Sequence, residues 1–68
     1  MNYEQVNNLY ESLCDKYATL KEQVTDSKSL DELTYISDDM VTIQRYLTTS
    51  LEVAFNTLKK IEKDLNTL

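Results

Sequence analysis

The 68 residues predict an all-α protein. The expected form is an antiparallel helical hairpin with a long, bent or broken second helix, coiled-coil-like packing and an oligomeric state; a three-helix bundle is the alternative. Three observations lead there. Glycine and proline are both absent, where ordinary usage would place about five and about three. Apolar residues recur at steps of three and four along most of the chain, the period of a helix laid against another helix. Only one stretch, Thr25-Asp26-Ser27-Lys28-Ser29, is dense in side chains that compete with helical hydrogen bonds.

The first helix is expected over residues 3–25. Tyr3, Val6, Tyr10, Leu13, Tyr17, Leu20 and Val24 form a heptad seam, widened by Leu9, Cys14 and Ala18. Asn2 suits an N-cap, with Gln5 placed to complete a capping box. Met1 and Val6 occupy the two hydrophobic-staple positions.

A turn over 26–29 follows. Ser29-Leu30-Asp31-Glu32 then reads as a second capping box, and a short connection makes the two helices antiparallel neighbours. The second helix is expected over about 30–67, along Leu33, Ile36, Met40, Ile43, Leu47, Leu51, Ala54, Leu58, Ile61, Leu65 and Leu68. Two consecutive steps of four at 43–47–51 form a stutter. A break is conceivable at Thr48-Thr49-Ser50, with Thr49 as cap and Glu52 completing its box. No glycine or proline stands there to enforce it, so the long helix is the favoured reading. At 1.5 Å per residue it outruns the first helix by about 15 residues.

That surplus, about residues 53–67, would lack a partner within the chain, and Phe55, Leu58, Ile61 and Leu51, with Tyr46 alongside, are the expected protein-binding residues. An apolar stripe of this size in water is an interaction site or an aggregation liability. A core built from so few residues is also marginal, and association is a common supplement. The partners expected are a second copy, another helical protein, or both.

Composition excludes much else. Without glycine there is no phosphate-binding loop or dinucleotide fingerprint. Without histidine there is no imidazole base. The single cysteine, Cys14, provides neither an internal disulfide nor a thiolate metal cluster. No catalytic residue, metal ligand or cofactor is therefore assigned, and the reading is non-enzymatic. The lone thiol suits a reducing, cytoplasmic setting. Uninterrupted apolar runs reach at most three residues, so no membrane span is expected.

The net charge of −5 is uneven. Residues 1–41 hold nine acids against three lysines; residues 42–68 hold three acids against four bases. An acidic surface disfavours direct binding to nucleic acid. Glu4, Glu11, Asp15 and Glu22 fall opposite the first seam and form a possible acidic face. This supports an alternative role, a small acidic decoy or inhibitor of a nucleic-acid-binding protein. Tyr3, Tyr10 and Tyr17 recur every seven residues, either as anchors for a partner or as lids on the seam with wet hydroxyls.

Ser37-Asp38-Asp39-Met40-Val41 has the serine of the Ser-x-x-x-Asp signature of sporulation phosphatases, but valine stands at the acid position. In length, acidity and helix–turn–helix layout the chain resembles the small co-chaperones of type III secretion needle subunits. The resemblance covers layout and no specific motif. Together these readings point to an interaction module: a self-assembling protein, an adaptor or a small chaperone.

Overall fold

The computed structural model describes residues 2–68 and contains three helices: α1 (Tyr3–Gln23), α2 (Ser27–Thr49) and α3 (Leu51–Asn66). The staple expected from Met1 lies outside the described residues.

The capping box at α1 forms. The Gln5 backbone N–H donates to Asn2 Oδ1 at 2.9 Å, and the Asn2 N–H donates to Gln5 Oε1 at 3.3 Å. The helix ends two residues earlier than expected: Val24 is extended, and its N–H donates to Leu20 O at 2.9 Å. The next helix starts earlier too. Asp26, not Ser29, is the N-cap of α2, and its Oδ2 accepts from the Ser29 N–H at 3.0 Å. An aspartate three residues upstream thus captures the same backbone that the Ser29 box would have capped. The connection shrinks to Val24–Asp26.

The favoured long second helix is not observed. It breaks at Ser50, the C-cap of α2 and the N-cap of α3, and the chain folds back as a three-helix bundle. The absence of glycine proves no obstacle, because no described residue has positive φ. One extended residue suffices: Ser50 lies at φ −154°, ψ 101°. Side-chain hydroxyls bond the backbone on both sides of it. Thr48 and Thr49 hydroxyls both donate to the Arg45 carbonyl, at 2.9 and 3.0 Å. Ser50 Oγ accepts from the Val53 N–H at 3.4 Å, so the cap lies one residue beyond Thr49. These are the hydroxyls that offer backbone an alternative to helix. The gain is burial of the α3 stripe, worth about 1.5–3 kcal/mol for each Leu or Ile.

One core joins all three helices. α1 contributes Val6 and Leu13; α2 contributes Leu33, Ile36, Met40 and Ile43; α3 contributes Ala54, Leu58, Ile61 and Leu65. Tyr10, Tyr17, Leu20, Tyr46, Leu47, Leu51 and Phe55 pack around it, half-buried. Ala18, expected to widen the α1 seam, is exposed.

Side-chain bonds define the directions. Gln44 Nε2, late in α2, donates to the hydroxyl of Tyr10, early in α1, at 3.2 Å. Lys16 Nζ, in the second half of α1, donates to Asn66 Oδ1 at the end of α3. The order is therefore up–down–up, in a body of 36 × 16 × 16 Å. Among the described residues no helix is long and apolar enough to cross a membrane.

Candidate interaction surface

Folding back of α3 relocates the residues expected to meet a partner. Leu58 and Ile61 are 0% exposed, inside the chain's own core. Tyr46, Leu51 and Phe55 are half-buried against it, and Lys59 Nζ lies 5.5 Å from the centre of the Phe55 ring. There is no unmatched overhang. α1 and α2 of the same molecule cover these residues instead of a partner.

The apolar surface that remains lies elsewhere. Five large hydrophobic residues are exposed: Tyr3, Leu30, Tyr35, Val41 and Val53. Three of them share the outer side of the α1–α2 contact. The Tyr10–Gln44 bond marks this edge, and helical periodicity extends it. On α1 the edge reads Tyr3, Asn7, Tyr10, Cys14, Tyr17 and Lys21; on α2 it reads Leu30, Thr34, Ser37, Val41, Gln44 and Thr48. Both rows step by 4, 3, 4, 3 and 4. Across both, Lys21 is the one charged residue and no acid occurs, although 28% of the chain is charged. Lys21 sits at one end, 6.0 Å from the centre of the Tyr17 ring. Val41 is 69% exposed, Tyr3 52% and Leu30 40%. Depletion of charge with enrichment of aromatic residues is what distinguishes the buried centre of protein interfaces from other surface.

Sequence periodicity assigned the Tyr3, Tyr10 and Tyr17 edge. The α2 edge was legible in principle as a run of uncharged residues at heptad spacing, but it is hidden beside the stronger Leu33–Leu51 series.

The acidic residues frame this surface. Glu4, Glu11, Asp15 and Glu22 are all exposed and fall on the outward side of α1. Asp31 and Asp38 are exposed on the outward side of α2, with Arg45 beyond them. Among the described residues none of these carboxylates forms an ion pair; the pair found is Lys59–Glu62, at 3.5 Å on α3. The outward side of α3 is the basic one, with Lys59, Lys60 and Lys63 exposed.

A depression of about 350 Å³ opens between α2 and α3 around Tyr35 and Ile36. Glu32, Asp39, Asp64 and Lys60 line its walls. It mixes both signs of charge and opens to solvent. Among the described residues no group of three acidic or cysteine side chains is arranged to hold a metal ion.

Compared with models of known families, with curated proteins and with solved structures, the chain matches none.

Proposed function

We propose that the chain is a non-enzymatic protein–protein interaction module, an adaptor or small chaperone, that buries the α1–α2 edge against another protein. The observation that carries this reading is the uncharged double row with Tyr3, Leu30 and Val41 exposed on it. Apolar side chains scattered singly need no explanation. Three on one edge, in a chain with twelve acids that all fall elsewhere, do.

The test is site-specific photo-crosslinking in cells from position 41, with position 56 on the outward side of α3 as the control. Position 41 should yield discrete adducts that position 56 does not. Identical patterns from the two positions, or none from 41, would sink the reading.

A second reading is the acidic decoy, favoured by the alignment of Glu4, Glu11, Asp15 and Glu22 on one exposed side of α1. Reversing those four charges should abolish decoy activity and leave the crosslinks from position 41 in place.

A further inference from the structure

We infer that the occupant of the α1–α2 edge is an amphipathic helix whose apolar stripe is flanked by lysine and arginine. This rests on the interaction reading above and adds the chemistry of the partner.

The outer edge of two antiparallel helices presents two parallel rows that a third helix can lie along. Its two walls repeat at 4 and 3 residues, so they match the ridges of a helix laid along them. The long axis of the body, 36 Å, corresponds to a helix of about 24 residues. A helix there would lie on the outer side of the α1–α2 pair, opposite α3. Its apolar stripe would meet Tyr3, Tyr10, Tyr17, Leu30 and Val41.

Charge selects among such helices. The floor is uncharged apart from Lys21, but Glu4, Glu11, Asp15 and Glu22 flank it on the α1 side, and Asp31 and Asp38 on the α2 side. Arg45 is the one base on either flank. A helix with acidic flanks would bring like charges together, which suppresses wrong partners. A helix with basic flanks meets unpaired carboxylates along both sides.

A second copy fits poorly. Its α1 and α2 would oppose acid with acid. Its α3 offers Lys59, Lys60 and Lys63, but Ala54, Leu58, Ile61 and Leu65 are already buried in its own core, so it supplies charge without a stripe.

The test uses the full chain and three synthetic helical peptides of about 24 residues. One has leucine at every a and d position and lysine at e and g. The second keeps the leucines with glutamate at e and g. The third keeps the lysines with serine at a and d. Binding is read by amide chemical shifts and by the alkylation rate of Cys14, a half-buried free thiol on the α1 row.

The leucine–lysine peptide should shift the amides of both rows and slow Cys14 alkylation about tenfold. Its affinity should drop about tenfold between roughly 50 and 300 mM salt, as screening weakens exposed charge pairs. Val41→Arg, at an exposed helical site, should leave the chain folded and weaken binding about tenfold.

Equal binding of the leucine–glutamate peptide at the same rows would overturn the basic partner while leaving the surface intact. Equal binding of the serine–lysine peptide would overturn the apolar stripe. A native mass showing dimers that protect Cys14 would make the occupant a second copy, again sparing the surface. A monomer that binds none of the peptides, or binds them elsewhere, would overturn both readings.

Discussion

Gln44 Nε2 donates to the Tyr10 hydroxyl at 3.2 Å, 34 residues away in the chain. The bond ties the end of α2 to the beginning of α1 and fixes which residues share the α1–α2 edge. It is exposed, so water competes for both partners. Tyr10→Phe should therefore cost less than about 1 kcal/mol, a fall in Tm below about 8 °C for a domain this small. A double-mutant cycle with Gln44→Ala checks it. If the double variant loses the full sum of the two singles, the bond contributes nothing to stability.

Buried and exposed apolar residues separate cleanly by substitution. Leu58→Ala and Ile61→Ala should each cost about 2–5 kcal/mol, from lost burial and the cavity left behind. That is a large part of the roughly 3–10 kcal/mol available to a chain of this length. Val41→Ala should change stability by no more than about 0.5 kcal/mol. Denaturant midpoints of the three variants decide the matter. A Leu58→Ala protein as stable as the parent would place Leu58 outside the core.

Helix faces were legible in the sequence, and helix ends only in part. Val6, Leu13, Leu33, Ile36, Met40, Ile43, Ala54, Leu58, Ile61 and Leu65 are the core, and every one lies on the two periodic series. Periodicity survives because burial alone decides which side of a helix faces inward. The break at Ser50 was visible as a stutter and a hydroxyl cluster, yet it competes with an uninterrupted series whose phase runs straight through. Two helices or one depend on a small difference between one lost stretch of helix and one buried stripe. The candidate surface was half legible for a related reason: its α2 row is periodic but holds only two large apolar residues, Leu30 and Val41, and its α1 row doubles as the edge of the core.

Asp26 makes the start of α2 sensitive to acid. The Ser29 backbone N–H, then the Ser29 hydroxyl, hold its carboxyl below the ordinary value. A carboxyl lowered on folding contributes stability that is fully present above its unfolded value, about 3.9, and is lost as pH falls through the folded value. Asp26→Asn keeps a capping side chain that does not titrate. The parent's advantage over this variant should be constant from neutral pH down to about pH 5 and shrink below about pH 4. Denaturant midpoints across that range test it, and parallel profiles down to about pH 2 would refute it.

The Thr48–Ser50 segment decides between a closed bundle and an open chain. Ser50→Ala removes the acceptor for the Val53 N–H and should cost about 0.5–2 kcal/mol, the usual value of an N-cap. Replacing Thr48, Thr49 and Ser50 together by alanine does more. It deletes both hydroxyl donors to the Arg45 carbonyl and installs the best helix former in their place. A helix continuous through these positions would strip Ala54, Leu58, Ile61 and Leu65 from their own core. In two such chains each stripe fits the vacated site of the other, which is domain swapping. The triple variant should therefore dimerise in a concentration-dependent way with a longer body than the 36 Å parent, as read by sedimentation and small-angle scattering. Ser50→Ala alone should remain a destabilised bundle of the parent's size. A triple variant with the parent's mass, shape and stability would show that burial of the α3 stripe enforces the turn without help from the three hydroxyls.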